Sequence, residues 1–134
     1  MADWWQWSQQ KEEEVLTFAV VGVGRFGTAV CRELISNGVD VLAADYSEKA
    51  IDDLRQLEPS IEARVIDCTD EESMKESGIL EMNTVVVGIS EPIEASITTT
   101  LIAKDSEGTK VKRVIARATS DLHEKMLKRV GADK

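Results

Sequence analysis

The segment Ala19-Val20-Val21-Gly22-Val23-Gly24-Arg25-Phe26-Gly27 decides the fold of this 134-residue chain. Its first three residues end a short apolar run that is typical of a buried strand, and its last six form the pattern G-x-G-x-x-G. Apolar residues then recur at Phe26, Val30 and Leu34, the spacing of one helix face. The segment therefore predicts a strand, a tight turn and a helix in direct succession.

The same succession repeats along the chain. Five short runs rich in Val, Ile and Ala read as strands, and because they are continuous rather than alternating, they indicate strands buried on both faces. The predicted strands are Leu16–Val21, Val39–Ala44, Ile61–Ile66, Thr84–Ile89 and Arg113–Arg117. Segments with helical spacing separate them. A short third helix is predicted from a capping box that begins at Thr69, with Gly78 as its left-handed end.

Strict alternation of strand and helix with short connections forces right-handed crossovers. We therefore expect an α/β fold, a Rossmann-like doubly wound parallel sheet of about five strands in the order 3-2-1-4-5, with helices on both faces. In this architecture a ligand binds at the carboxyl ends of the strands, where the first and fourth strands diverge.

Residues 1–14 lie outside this pattern. Trp4, Trp5 and Trp7 stand among polar residues without a helix start signal. We interpret this stretch as a flexible Trp-rich N-terminal tail, either a linker, an expression remnant or a segment that docks on a partner.

Composition excludes several classes of protein. The 16 basic and 25 acidic residues give a net charge of −9, which argues against nucleic acid as a partner. The apolar runs are too short for membrane insertion, and no secretory signal is present, so we expect a cytoplasmic location. Cys31 and Cys68 lack the spacing of a metal or redox motif and are interpreted as small, semi-buried apolar residues.

The glycine pattern is suited to phosphate binding. In the strand-turn-helix context, Gly22 permits the tight turn, Gly24 leaves room for a pyrophosphate, and Gly27 lets the helix pack on the strand. The N–H groups at the start of the helix, which include that of Phe26, then face the phosphates. The pattern alone is weak evidence, but its context here is complete.

An acid at the end of the second strand supports the same interpretation. Asp45 lies 21 residues after Gly24, where a carboxylate accepts hydrogen bonds from ribose hydroxyls. Because its charge would repel a 2′-phosphate, NAD or an adenosine nucleotide is favoured over NADP. The alternative is that Asp45 is merely a polar strand end.

Further candidates follow the other strands at the same edge of the sheet. They are Asp67, Cys68 and Thr69 after the third strand, Gly88 and Ser90 after the fourth, and Arg117 after the fifth. The role of Thr69 as a helix cap is an equal alternative. Arg25 lies inside the glycine loop, where its fork of donors suits a terminal phosphate or a pyrophosphate. The alternative for both arginines is a surface position, and it is an equal alternative only for Arg117.

The residues of enzyme catalysis are less evident. The single histidine, His123, lies among Asp121, Glu124 and Lys125 in the last helix and is interpreted as part of a solvated face. No His and Cys cluster predicts a metal site. We therefore expect no catalytic residue and no enzyme activity in this chain.

The residues from Ala19 to Gly27 resemble the start of the RCK N-terminal domain family, also called KTN or TrkA-N, and Gly24-Arg25-Phe26-Gly27 is the more specific half. The resemblance covers about residues 15–134, which would form one nucleotide-binding domain. It continues through Val41–Asp45, Asp67–Asp70, Val85–Ile89, Ile115–Ala118 and Val130–Asp133. Within the family it is nearest to regulatory subunits of Ktr/Trk potassium uptake systems.

The resemblance implies a regulatory domain that binds NAD(H) or ATP/ADP and controls K+ flux by conformational change. It implies a homo-oligomer, a dimer or an octameric ring, held at the inner face of the membrane by a transporter or channel subunit. Carried over, the glycines hold phosphates, Asp45 the ribose, Asp67 and Thr69 the adenine, and Arg25 and Arg117 the distal phosphates or a neighbouring subunit. The alternatives are the cofactor half of an NAD-dependent oxidoreductase and the pore-fused sensor lobe of a K+ channel or efflux system.

Overall fold

Five parallel strands form one sheet in the computed structural model, which describes residues 16–134. They are β1 Phe18–Val21, β2 Val41–Asp45, β3 Glu62–Val65, β4 Thr84–Val87 and β5 Arg113–Ala116. Their order is β3-β2-β1-β4-β5, with every neighbouring pair parallel, which confirms the predicted fold. The Trp-rich tail predicted for residues 1–14 lies outside the described residues.

Helices connect the strands. Within residues 16–134 they are α1 Arg25–Ser36, α2 Glu48–Leu57, α3 Glu71–Ser77, α4 Ile93–Asp105 and α5 Asp121–Arg129, with a 3₁₀ turn at Ile79–Glu81. None of these helices is long and apolar enough to cross a membrane. Gly78 has a φ of 92° and ends α3 in the left-handed conformation, as predicted.

The start of α3 corrects one prediction. Its N-cap is Asp70, whose carboxylate accepts a hydrogen bond from the backbone N–H of Ser73, and not Thr69. Thr69 instead donates its hydroxyl and its backbone N–H to the carboxylate of Asp67. Two capping residues stand in succession here, and the helix begins one residue later than the pattern predicted, which leaves Thr69 in the loop at the edge of the sheet.

The core has two apolar layers, one on each side of the sheet. The side chains of Ala19 and Val21 belong to the layer that packs with Met74 of α3 and Ala103 of α4. Val20, between them, belongs to the layer that packs with residues of α1 and α2. Since successive strand side chains point to opposite faces, a strand covered on both faces needs apolar residues at every position. This explains the continuous apolar run of β1.

Strand β3 departs from that prediction. Of its four residues only Ala63 is buried, whereas Glu62, Arg64 and Val65 are exposed. The strand has β2 on one side and forms an edge of the sheet. The prediction that all five strands are buried on both faces is therefore wrong for β3 and also for β5, the other edge strand, of which only Val114 is buried, because the helices cover the edges of the sheet less completely than its centre.

Candidate functional site

A cavity of about 410 Å³ opens at the carboxyl ends of the strands, in the crevice beside β1 and β4. Eight of the twelve candidate residues from the sequence line it: Gly22, Gly24, Asp45, Asp67, Cys68, Thr69, Gly88 and Ser90. This is the edge of a doubly wound sheet at which ligands bind. The fold thus gathers residues that are up to 68 positions apart in sequence, from Gly22 to Ser90, around one space.

The glycine turn is packed backbone against backbone. Gly22 has a φ of 91°, a conformation that L side chains rarely adopt. A Cβ at Gly27 would overlap the carbonyl oxygen of Gly22, so α1 approaches the turn as closely as it does only because this residue is glycine. By contrast, a Cβ at Gly24 would meet no atom of the described chain within 4 Å. Gly24 therefore faces open space at the cavity.

Asp45 joins the end of β2 to this turn. One carboxylate oxygen accepts a 2.8 Å hydrogen bond from the backbone N–H of Val23, and the other accepts one of 2.8 Å from the N–H of Ser47. Each carboxylate oxygen can accept a second hydrogen bond. The side chain is thus held in place by the backbone and retains acceptor capacity towards the cavity that it lines.

The loop after β3 forms another wall. The two hydrogen bonds from Thr69 to Asp67 lower the pKa of the Asp67 carboxyl below its ordinary value and so stabilise its ionised form. Burial, with smaller contributions from the charges of Asp45 and Asp67, raises the pKa of the Cys68 thiol to about 12. Cys68 is consequently a neutral apolar group in this wall, as the sequence predicted, and its thiol is unsuited to nucleophilic chemistry.

Two helices direct their N-termini to the cavity. Gly24 is the N-cap of α1 and Pro92 the N-cap of α4, both line the cavity, and no side chain of the described residues caps either helix. The other three helices of residues 16–134 are capped by Ser47, Asp70 and Ser120. The free N–H groups of an uncapped helix and its dipole attract anions. The two helix ends left open are those at the cavity.

Four candidates do not line the cavity: Arg25, Phe26, Gly27 and Arg117. Arg25 is the exposed first residue of α1, next to Gly24, while Gly27 is buried beneath the turn. The guanidinium carbon of Arg117 lies 5.3 Å from the centroid of the Phe26 ring, the geometry of a cation–π contact. Arg117 thus ties the loop after β5 to the first turn of α1.

Among residues 16–134, the cavity lining includes no Lys or Arg. Its charged side chains are the carboxylates of Asp45, Asp67 and Glu91. Any phosphate bound here would therefore depend on backbone N–H groups and on cations at the rim, of which Arg25 is the nearest in sequence to the lining glycines.

Four lining residues escaped the sequence analysis as candidates, namely Tyr46, Glu91, Pro92 and Ala95, while a further lining residue, Ile89, lies between the candidates Gly88 and Ser90. Each lies in a loop or first helical turn that follows β2 or β4. Their position in the sequence could have identified two of them, since Tyr46 follows the candidate Asp45 directly and Glu91 follows the candidate Ser90. Tyr46 is 78% exposed, so its ring is open to a ligand.

The sequence interpretation of His123 is wrong. The residue is 1% exposed, not part of a solvated face. Its Nδ1 accepts a hydrogen bond from the backbone N–H of Thr119, so Nε2 carries the proton that it donates to Ser96 of α4 at 3.1 Å. Helical spacing placed His123 among charged neighbours, but α5 turns this one polar side chain inward against a buried hydroxyl.

No group of three or more His, Cys, Asp or Glu side chains in the described part of the chain is arranged to hold a metal ion. The cavity instead combines a glycine turn, a fixed carboxylate at the end of β2 and two open helix N-termini. Together with the sheet order, these features define a domain of the Rossmann class.

Residues 18–134 match the family model of the TrkA-N domain, and the chain belongs to this family. It is 40% identical over 116 residues to the Ktr system potassium uptake protein C of Bacillus subtilis (strain 168). It is 38% identical over 116 residues to the Ktr system potassium uptake protein A of Vibrio alginolyticus. Each alignment covers 87% of this chain and 50% of the relative, so the chain spans about half the length of these curated relatives.

The fold is also similar to solved structures of the GsuK channel. A structure of that channel bound to NAD aligns with a TM-score of 0.75 at 13% identity, over 89% of this chain and 21% of the channel. A structure of GsuK bound to ADP aligns with a TM-score of 0.71 at 14% identity, over 89% of this chain and 30% of the other. At these identities the likeness concerns the fold.

Proposed function

We propose that this chain is a nucleotide-binding regulatory domain of a potassium transport system, which senses NAD(H) or ATP/ADP and controls K+ flux through a change of conformation. The observation that carries the proposal is the convergence of the two uncapped helix N-termini, α1 and α4, on a cavity that also contains Asp45. Helix N-termini attract phosphates, and a carboxylate at this place accepts hydrogen bonds from a ribose.

In this proposal each wall of the cavity binds one part of the ligand. The pyrophosphate lies against Gly22 and Gly24, with Gly88 and Ser90 beside it. Asp45 accepts hydrogen bonds from the ribose hydroxyls. The ionised carboxylate of Asp67 accepts from the adenine amino group, and the neighbouring Thr69 and Cys68 contact the ring.

Two arginines act from the rim. Arg25, in the first turn of α1, binds the terminal phosphate of a triphosphate or contacts a neighbouring subunit. Arg117 acts through Phe26, whose ring it contacts. This contact couples the position of the α1 N-terminus to that of the loop after β5. The charge of Asp45 disfavours a 2′-phosphate, so NAD or an adenosine nucleotide is favoured over NADP as the ligand.

A regulatory role is favoured over an enzymatic one. The relatives at 38–40% identity are potassium uptake proteins by name. The thiol of Cys68 stays protonated because of its raised pKa and is therefore a poor nucleophile. The imidazole of His123 is buried, is engaged in two hydrogen bonds and does not line the cavity. The rival proposals are the cofactor half of an NAD-dependent oxidoreductase and the sensor lobe of a pore-fused channel or efflux protein.

The partner in this proposal is a membrane-embedded potassium transporter or channel subunit, which holds the domain at the cytoplasmic face. The domain itself forms a homo-oligomer, a dimer or a larger ring. An apolar groove between α4 and α5 supports self-association, since Leu122 and Met126 there are 68% and 40% exposed. Binding shifts the oligomer between arrangements only if the ligand contacts them differently.

Calorimetric titration of the purified protein with ADP, ATP, NAD, NADH and NADP tests the proposal. We expect saturable binding of adenine nucleotides that lack a 2′-phosphate, and much weaker binding of NADP. Absence of saturable binding at millimolar concentrations in a folded sample would refute it. Consumption of NADH with a small-molecule substrate, once the chain is combined with the catalytic half that the oxidoreductase alternative requires, would favour that alternative instead.

A further inference from the structure

Helix α4 carries three hydroxyl side chains that are completely buried. Ser96, Thr99 and Thr100 are each 0% exposed. The hydroxyl of Thr100 donates to the carbonyl of Ser96 within the same helix, at 2.9 Å. The hydroxyl of Thr99 instead leaves its helix and donates to the backbone carbonyl of Cys68 at 3.0 Å, across 31 positions of sequence.

The bond from Thr99 reaches the middle of the cavity wall. Cys68 stands between Asp67 and Thr69, and the hydrogen bonds of those two side chains stay within the loop itself. Local bonds fix the shape of a loop but not its distance from a neighbouring helix. The Thr99 hydroxyl supplies that second constraint, because it fixes the Cys68 carbonyl to α4.

The N-terminal end of the same helix forms another wall of the cavity. Pro92, the N-cap of α4, and Ala95, one turn before Thr99, both line it. The buried hydroxyl of Thr99 therefore adds a hydrogen bond that links the wall at α4 to the wall at Asp67, beside the apolar packing of Cys68. Ligand sites lose affinity when such supporting bonds are removed, even though the supporting groups do not touch the ligand.

We propose that Thr99 is a positioning residue of the nucleotide cavity, which holds the Asp67–Thr69 wall at the distance from α4 that an adenine ring requires. This inference rests on the proposed function, since it assigns the adenine to that wall. It predicts that the Thr99 hydroxyl contributes to affinity and that the equally buried hydroxyl of Thr100 does not.

The substitution Thr99→Val removes the hydroxyl with little change of shape, and Thr100→Val is its matched control on the next residue. We expect the Kd for ADP to rise about fivefold in Thr99→Val, the effect of one lost net hydrogen bond, and less than twofold in Thr100→Val. An ADP affinity of Thr99→Val that equals that of wild type would overturn the proposal. So would equal losses, because the cause would then be a general loosening of α4.

A second pair of variants covers the case in which valine prevents folding. Thr99→Ser keeps the hydroxyl and loses the methyl group, whereas Thr99→Ala loses both. The proposal requires ADP affinity close to wild type in Thr99→Ser and weakened affinity in Thr99→Ala. Similar affinity in both would show that packing, not the hydrogen bond, is what matters at this position.

Amide hydrogen exchange without nucleotide separates this inference from the proposed function. The N–H groups of Thr69 and Asp70 donate to the side chain and the carbonyl of Asp67. Their exchange should be faster in Thr99→Val than in Thr100→Val. If wild type binds no nucleotide, the proposed function fails, and the exchange rates still decide whether Thr99 positions the loop.

Discussion

The carboxylate of Asp45 accepts a 2.8 Å hydrogen bond from the backbone N–H of Val23, 22 positions earlier in the chain. The residue that is proposed to hold the ribose therefore also holds the turn that is proposed to hold the phosphates. Because the other carboxylate oxygen accepts from Ser47, the side chain connects three parts of the site, the turn, the end of β2 and the start of α2.

This double role makes Asp45→Ala more damaging than the loss of one ligand contact. We expect the Kd for ADP and for NAD to rise by about tenfold or more, since both the ribose acceptor and the support of the turn are lost. Calorimetry measures the change. Asp53→Ala is the control, because Asp53 pairs with Lys49 on the surface of α2 and should leave affinity unchanged. Unaltered affinity in Asp45→Ala would exclude this residue from the site.

The glycines of the turn should separate stability from binding. Gly27→Ala places a Cβ on the carbonyl oxygen of Gly22, so we expect a loss of about 3 kcal/mol of unfolding free energy. Gly24→Ala adds its Cβ to open space at a φ of −72°, so we expect stability to change by about 1 kcal/mol or less.

The same Gly24→Ala protein should nonetheless bind ADP poorly, because its methyl group occupies the approach of the pyrophosphate. Chemical denaturation and calorimetry on both variants provide the two readouts. A Gly24→Ala protein with wild-type affinity would show that phosphates do not approach the turn at this point.

Arg25 should distinguish a triphosphate from a diphosphate. Arg25→Ala removes a cation at the rim next to Gly24, and we expect about a tenfold loss of ATP affinity with less than a twofold loss for ADP. Arg32→Ala, on the same helix but paired with Glu58, is the matched control. Equal losses for the two nucleotides would place Arg25 near the pyrophosphate instead of the γ-phosphate.

The two thiols should make stability fall in alkaline solution. Burial raises the pKa of Cys31 and of Cys68 to about 12, with the charge of Glu58 adding to the effect at Cys31. Above the ordinary thiol pKa, near 9.0, an unfolded chain loses these protons while the folded chain keeps them. The unfolded state is then favoured, by about 1 kcal/mol per thiol at pH 10.

Denaturation at pH 8 and pH 10 measures this loss of stability. Cys31→Val and Cys68→Val should each reduce the difference between the two pH values. Each variant should also have one thiol fewer that reacts with a thiol reagent after unfolding. In the native protein we expect both thiols to react slowly. Rapid reaction of native Cys68 at pH 8 would contradict its burial in the cavity wall.

Local patterns predicted the strands, the sheet order and most of the lining residues because these depend on short-range features. A continuous apolar run, a glycine turn and an acid at a strand end are each recognised within a few residues of sequence. The alternation of strands and helices with short connections then favours a single sheet topology. The same patterns failed for the burial of the edge strands β3 and β5 and for the side chain of His123. Packing between elements that are distant in sequence decides whether helices cover a strand at the sheet edge. It also decides whether a polar side chain of a helix such as α5 points into the core or into solvent.

By itself, the sequence determined that β1, the glycine turn and α1 follow one another and that Asp45 ends the next strand, because backbone sterics and side-chain periodicity are local. Only the tertiary structure decided that Asp45 supports the turn through Val23, that Thr99 holds the wall at Cys68, and that Arg117 contacts Phe26. These contacts join residues 22, 31 and 91 positions apart, and such distances close only when the sheet is assembled and its helices are packed upon it.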